Sequence, residues 1–339
     1  MKRLALVFCI LFVVCCSMIG DLHAQTKPKN KCSIPVQTLF YGYPWGWIPM
    51  NPVGNPNCFG FSWLALCVVP GTECPPPEEP PSKCPDCSQP VSLADGNTSI
   101  EQTDVRLPGL GGGLVFTRTW NSKWQGLDPL IVPGIFGGAW RSTFEERVYL
   151  GRGNYMKYLR GSGEFWSFGY NYGVWSPAAP ATASATLIQG ATSWILTFQN
   201  GEKRTFDATT GNLLSISDRN GNTTQIAYDS SHRLYTVTDP AGRTLTFTYG
   251  SPTSYLVTGV SSSVGGLSLT YSYDSNGRLT QVTNPDLSTI NYTYNAQSSI
   301  SSVTDSQGKV LESHTYDSFG RGLTSSRANG VESVTITYP

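Results

Sequence analysis

The sequence is poor in charged residues. Asp, Glu, Lys and Arg make up only 14% of its 339 residues, and 23 basic residues balance 23 acidic ones. A nucleic acid or an anionic membrane surface attracts proteins with an excess of positive charge. The composition therefore predicts no nucleic-acid partner. Only four Met residues, against 35 Gly and 17 Tyr, favour strands and turns over helices.

The sequence also lacks the motifs that carry catalysis, because it contains no GxSxG, no HExxH and no Asp-rich calcium loop. After the amino-terminal segment only His232 and His314 remain, and we expect both to lie in solvated positions. Glu145 and Glu146 fall on a predicted strand, where neighbours face opposite ways and cannot act as a pair. LPGLGGG at 107–113 has neither phosphate-loop spacing, so we expect a hairpin connection. The sequence predicts no enzyme, no cofactor and no metal site.

Long apolar runs are absent beyond the first residues of the chain. Lys2 and Arg3 precede an apolar stretch that ends at Ile19, and residues 20–24 lead to an expected cleavage site after Leu22-His23-Ala24. This pattern is typical of a signal peptide over residues 1–24. We therefore expect a secreted, extracellular or surface protein with no transmembrane anchor after signal cleavage.

Cysteine is absent after residue 87. An even number of cysteines in the first part of an exported chain indicates disulfides, and the alternative is a zinc site around the CxxC at 84–87. Their pairing stays open. We expect residues 25–89 to form a cysteine-, proline- and aromatic-rich irregular module with a proline-rich spacer at 75–83. The disulfide candidates are Cys32, Cys58, Cys67, Cys74, Cys84 and Cys87.

Aromatic residues alternate at Tyr41, Tyr43, Trp45 and Trp47. On an extended strand they would share one face. Trp45 and Trp47 are therefore candidates for stacking on sugar rings. The alternative is that they form the core of the module or a docking surface.

A β domain is predicted from residue 90 to 200. Alternating apolar residues separated by glycine-rich turns indicate strands at 98–102, 114–120, 144–150 and 194–198.

The remainder, residues 201–339, contains an internal repeat. A Tyr or Phe recurs every 21 to 24 residues, mostly followed by Asp or Asn. A period this regular indicates one structural unit repeated about six times. The aromatic residues are Phe206, Tyr228, Tyr249, Tyr273, Tyr294, Tyr316 and Tyr338. The positions that define the turn after them are Asp229, Asp274, Asp317, Gly277, Gly320 and Arg278.

Each unit reads as a hairpin with one apolar face. The Asp after the aromatic residue is expected to accept hydrogen bonds from turn amides, and the Gly to adopt positive φ. Apolar residues three apart, as in Leu279 and Val282, predict a bulge in the first strand, and strict alternation predicts a regular second strand. We expect an all-β fold: a short-strand domain followed by a curled antiparallel sheet of about six hairpins.

The repeat resembles the YD repeats of the Rhs family. YDSNGRLTQVT at 273–283 matches the family core YDxxGRLxxVT. Residues 90–122, with Gly96-Asn97, Thr103-Asp104 and FTRTWN at 116–121, resemble the small domain of unknown function that precedes YD repeats. The resemblance implies a hollow β-shell that often encloses a carboxyl-terminal toxin, and it implies surface or adhesion roles for related chains.

Six units are too few to close such a shell, and the family's DPxGL cleavage motif is missing. We therefore expect a non-enzymatic, partial Rhs-type shell, either an interaction scaffold or a truncated piece of a toxin-delivery protein. Another Rhs segment that completes the sheet edge is the expected partner. The alternative is a carbohydrate-binding adhesin that holds a polysaccharide on exposed Tyr and Trp.

Overall fold

The computed structural model describes residues 58–61, 64–67, 91–92, 95–124, 133–151, 154–171, 174–180, 183–327, 330 and 332–338. The chain divides into two compact units, Met1–Cys74 and Pro75–Pro339. In the first unit, β1 (Cys58–Phe61) and β2 (Leu64–Cys67) form an antiparallel hairpin with Cys58 and Cys67 as partners in register. No helix of the described residues is long and apolar enough to span a membrane.

The second unit begins with a three-stranded antiparallel sheet in the order β3-β4-β5. Its strands are β3 (Ser99–Leu107), β4 (Leu114–Asn121) and β5 (Trp140–Ser142). Short 3-10 turns lie at Leu110–Gly112 and Ser122–Trp124. The first of these turns belongs to the β3–β4 connection, so the predicted hairpin at 107–113 is present.

The rest of the second unit is one antiparallel sheet of nineteen strands, each paired with the next. The strands are β6 (Arg147–Leu150), β7 (Met156–Leu159), β8 (Phe165–Asn171), β9 (Val174–Ala179), β10 (Ala185–Gln189), β11 (Ser193–Phe198), β12 (Lys203–Asp207), β13 (Leu213–Ser217), β14 (Thr223–Tyr228), β15 (Leu234–Thr238), β16 (Thr244–Tyr249), β17 (Val257–Ser262), β18 (Ser268–Tyr273), β19 (Leu279–Thr283), β20 (Thr289–Tyr294), β21 (Ile300–Asp305), β22 (Val310–Tyr316), β23 (Gly322–Arg327) and β24 (Glu332–Thr335).

The sheet is continuous but not closed: no ladder of the described residues joins β6 to β24. The all-β fold and the long sheet of repeat hairpins are thus confirmed. The sheet already includes β6 to β11, which precede residue 201, so it extends further towards the amino terminus than the repeats do. An isolated bridge between Arg147 and Asn212 also brings β6 back to the turn before β13.

The predicted bulge occurs at five of the repeat tyrosines. In the pairing of β18 with β19, Ser272 lies opposite Gln281 and Tyr273 opposite Leu279, so Thr280 is the extra residue. The extra residue returns the strand to its apolar face after a step of three instead of two, which is why Leu279 and Val282 are both buried. Equivalent register shifts precede Tyr228, Tyr249, Tyr294 and Tyr316.

The core lies between the small sheet and the inner face of the long one. One aromatic ring from the amino-terminal half meets one ring from each of four successive repeats. The pairs are Phe116 with Phe247 at 5.3 Å, Phe136 with Tyr271 at 4.8 Å, Trp140 with Tyr292 at 5.3 Å and Trp120 with Tyr316 at 6.3 Å. Since a lone hairpin has nowhere to bury its apolar face, this contact and the neighbouring units supply its core.

Candidate functional site

The turn after each repeat Tyr is organised by its Asp. Asp274 Oδ1 accepts hydrogen bonds from the backbone N–H groups of Asn276 and Arg278, both at 2.9 Å. Asp274 Oδ2 accepts one from Arg278 Nε at 2.7 Å. Burial by itself would raise the pKa of Asp274, but these donors outweigh it and lower the pKa below its ordinary value. The hydrogen-bond donors of the Asp274 carboxylate therefore all come from its own turn.

The same arrangement recurs through the sheet. Asp229 and Asp317 accept from backbone N–H groups two and four residues later and from Arg233 and Arg321. Asp239, in the second turn of its unit, is bound in the same way by Arg243. A residue that repeats with the fold and fills its bonds within the turn stabilises that turn.

Each repeat Tyr is held at its hydroxyl. Tyr294 Oη donates to the carbonyl oxygen of Leu279 at 2.7 Å, and the guanidinium of Arg278 lies 4.9 Å from the centre of the Tyr294 ring. The corresponding acceptors are Leu213 for Tyr228, Leu234 for Tyr249, Val257 for Tyr273, Ile300 for Tyr316 and Gly322 for Tyr338. The rings of Tyr228, Tyr249, Tyr273, Tyr294 and Tyr316 are half-buried and pack on the core, so these five form no open stacking platform.

The glycines of the motif occupy a left-handed corner. Gly277 and Gly320 both have φ of 73°. His232 (φ 59°) and Ser298 (φ 62°) occupy the same corner in two other units. Side chains other than Gly are disfavoured in this region, so these two positions carry backbone strain.

Between the two sheets lies a buried ion pair that the sequence did not reveal. Arg118 is 1% exposed, and its Nη2 donates to Asp104 Oδ1 at 2.8 Å. Tyr271 Oη donates to Asp104 Oδ2 at 2.7 Å, and the guanidinium lies 4.9 Å from the ring centre of Trp140. Although burial opposes the charge, Asp104 raises the pKa of Arg118 above its ordinary value. The pair ties β3 and β4 to the repeat strand β18.

A cavity of about 270 Å³ opens at the junction between the small sheet, β6 and the first repeats. Apolar and aromatic residues form most of its wall, and carboxylates, arginines and a histidine supply the polar groups. Its lining includes Ile135, Phe144, Leu159, Leu234, Tyr149, Tyr228, Tyr255, Glu145, Glu146, Arg141, Arg147, Arg233, His232, Asn212, Ser231 and Pro133.

Glu145 and Glu146 both line this cavity, which corrects the expectation that a strand would turn them to opposite faces. The strand begins at Arg147, two residues later than Glu145, so strand alternation does not apply to the two carboxylates. The run 144–150 was too long because Thr143 and Phe144 form a turn that closes back on β5.

The two carboxylates nevertheless have separate partners. Glu146 Oε2 accepts from Tyr158 Oη at 2.8 Å and from Arg204 Nε at 2.9 Å. Glu145 Oε1 accepts from the Ile135 backbone N–H at 2.8 Å, and burial raises the pKa of Glu145. Glu146 therefore has a structural role, and Glu145 and Glu146 do not form an acid–base pair.

His314 also departs from the expectation. Its side chain is 0% exposed and lies 3.4 Å from Glu312, at the core position that Tyr292 fills in the preceding unit. His232 meets the expectation only partly, since it is exposed yet lines the cavity. Within the described residues, no three His, Cys, Asp or Glu side chains come together as a metal site.

Two family models match the chain in succession. Residues 88–168 match a domain of unknown function, DUF6531, and residues 182–312 match the Teneurin YD-shell. The chain is an Rhs-type YD-repeat protein with this domain in front. The predicted family is thereby confirmed. No curated protein matches the sequence.

Several solved structures resemble this YD-repeat chain at low identity. A crystal structure of TcdB2-TccC3-Cdc42 shares 14% identity over 50% of this chain, with a TM-score of 0.31. TcdB2-TccC3 without its hypervariable carboxyl-terminal region shares 13% over 68%, with a TM-score of 0.32. A Tc holotoxin pore of Photorhabdus luminescens shares 12% over 69%, with a TM-score of 0.28. The match spans 11%, 15% and 10% of those chains, so the family models carry the assignment.

The remaining predicted residues of this Rhs-type chain lie outside the described ones. These are Trp45, Trp47, Cys32, Cys74, Cys84 and Cys87, together with the signal peptide at 1–24. Disulfide pairing and the sugar-stacking role of Trp45 and Trp47 stay predictions.

Proposed function

We propose that the protein is a secreted or surface-exposed, non-enzymatic scaffold that forms part of an Rhs shell, and that a second YD-repeat segment completes its sheet edge. The observation that supports this is the continuous sheet from β6 to β24, whose described end strands have no ladder between them. An unpaired edge offers backbone donors and acceptors to another strand.

The edge of β24 presents these groups to solvent. Ile336 N–H donates to the Leu323 carbonyl oxygen at 2.8 Å. Because alternate residues of an antiparallel strand direct their hydrogen bonds to opposite sides, the N–H and C=O of Thr335 and Ser333 point away from β23. Thr335 and Ser333 are also exposed. They are the groups that an added strand would contact.

Thr335→Pro tests the edge without breaking the ladder to β23, because it removes only the outward N–H. Thr335→Val is the matched control, since it keeps that N–H. The mass of the native product is measured in the medium and surface fractions of the host. We expect the wild type and Thr335→Val in an assembly larger than one chain, which has a mass of 36.8 kDa less the signal peptide, and Thr335→Pro as a single chain. A wild type that runs as a single chain would contradict the proposal.

The carbohydrate-binding alternative has less support from the repeats. Five of the repeat-defining tyrosines donate to backbone carbonyls and pack against the core, so those rings offer no free face to a sugar. A place in a toxin-delivery assembly stays a prediction.

A further inference from the structure

The junction cavity lies where the repeat pattern is broken. His232 replaces the glycine of the left-handed corner, and it lines the cavity. The next turn is expanded, because the step from Tyr249 to Tyr273 is 24 residues, and it supplies Tyr255, which is 46% exposed. Residues with a strained backbone conformation often have side chains with a functional role. Two departures that meet at one cavity indicate a role beyond holding the sheet.

The charges in the cavity are not equally available to a ligand. Glu146 accepts hydrogen bonds from Tyr158 and Arg204. Glu145 Oε1 accepts one from the Ile135 N–H and lies 4.0 Å from Arg141 Nη1, so the charges of Glu145 and Arg141 offset each other. Arg233 pairs with Asp229 and donates to three carbonyl oxygens of the expanded turn.

Arg147 differs from these groups. Its Nε donates to the Thr210 carbonyl oxygen at 3.1 Å, and no carboxylate of the described residues forms an ion pair with it. The cavity therefore offers a cation whose charge is not neutralised by a direct partner. His232 adds a ring nitrogen donor on the same lining.

The apolar part of the cavity lining suits a ligand with a flat apolar ring. Phe144, Leu159 and Leu234 are buried, and the rings of Tyr228 and Tyr255 lie on the lining. A volume of about 270 Å³ accommodates on the order of ten heavy atoms. We propose that this cavity binds a small organic anion with a flat apolar body, whose anionic group meets Arg147 and His232.

Three probes of similar size test the charge of the ligand: benzoate, benzamide and benzylamine. Binding to the full chain is measured by calorimetry at neutral pH. We expect benzoate to bind at least about tenfold more tightly than either other probe. Arg147→Gln keeps a donor for Thr210 and should weaken benzoate by about tenfold or more. Arg106→Gln removes the same charge from an exposed position outside the cavity and should leave binding unchanged.

His232→Gly separates binding from folding. It relieves the left-handed strain, so the melting temperature should stay the same or rise, while benzoate binding weakens several-fold. Ser298→Gly makes the same change outside the cavity and should not alter binding. Equal binding of the three probes, tighter binding of benzylamine, undetectable benzoate binding, or unchanged binding by folded Arg147→Gln and His232→Gly would each overturn the proposal. The native mass of the Thr335 variants does not enter this test, so the two proposals fail separately.

Discussion

At the scale of single residues, the YD motif is a set of mutual hydrogen bonds. Asp274 caps its turn and holds Arg278, and Arg278 stacks on Tyr294 of the next unit. Tyr294 in turn donates back to Leu279. The identity of each residue follows from a contact within the sheet, and this explains why the Tyr, Asp, Gly and Arg recur together.

Gly277→Ala should destabilise the protein because it places a Cβ on a residue with a left-handed backbone conformation. A Cβ at Gly277 would meet its nearest atom, Leu256 Cδ1, at 3.6 Å, which is ordinary contact. The φ of 73° remains unfavourable for Ala, and we expect a loss of about 1 kcal/mol in the free energy of unfolding, measured by urea denaturation. Gly265→Ala is the control, because its Cβ meets no atom within 4 Å and its φ is not left-handed. Equal effects of the two substitutions would contradict this account.

At the scale of elements, the β3–β4 hairpin packs against the inner face of the repeats and is hydrogen-bonded to it. Arg243 Nη2 donates to the Leu107 carbonyl oxygen at the hairpin tip, at 3.1 Å. A Cβ on Gly109 would lie 2.4 Å from the same nitrogen, and one on Gly113 would lie 2.1 Å from the Leu107 carbonyl oxygen. Gly109 and Gly113 thus permit the close approach of the backbone and the guanidinium at this hairpin.

The Asp104–Arg118 pair makes the contact between the β3–β4 hairpin and the repeat sheet sensitive to single substitutions. Asp104→Ala leaves a buried guanidinium without its carboxylate, so we expect a loss of about 3–5 kcal/mol in the free energy of unfolding. Asp104→Ala combined with Arg118→Met removes both charges and should cost less than the sum of the single changes. A double-mutant cycle by chemical denaturation measures the difference. Additive effects would show that the pair contributes no coupling between the two sheets.

At the scale of the whole molecule, the chain has no net charge and carries several of its Asp residues in periodic turns. The pKa values of Asp229, Asp274 and Asp317 are all lowered: burial would raise them, and hydrogen bonds from backbone N–H groups and arginines outweigh it. A carboxyl group with a lower pKa in the folded state stabilises the fold above its unfolded pKa and loses this contribution as the pH falls through the folded value.

Acid should accordingly weaken the sheet as a unit. We expect the free energy of unfolding to fall as the pH drops below about 4. A triple variant, Asp229→Asn, Asp274→Asn and Asp317→Asn, should be less stable than the wild type at pH 6 and show a shallower acid slope. Urea denaturation at a series of pH values measures both. An unchanged slope would show that the turn carboxylates do not govern the acid transition.

Several features followed from the sequence because they depend on local geometry. The 21- to 24-residue period, the turn chemistry and the three-residue apolar spacing predicted the hairpin units and their bulges. The glycine-rich stretch at 107–113 predicted its hairpin because the phosphate-loop spacings were missing. The fold class and the family were predicted from these same local repeat patterns.

Only the tertiary structure decided which units meet across space. The pairing of Asp104 with Arg118 and Tyr271 joins residues up to 167 positions apart, which no periodicity encodes. Glu145, Glu146, Arg147 and His232 line one cavity because β6 bridges back to the turn before β13. His314 is buried because the repeat places it at a core position despite its polarity. Local patterns determine the hairpin, whereas long-range packing determines what the hairpins enclose.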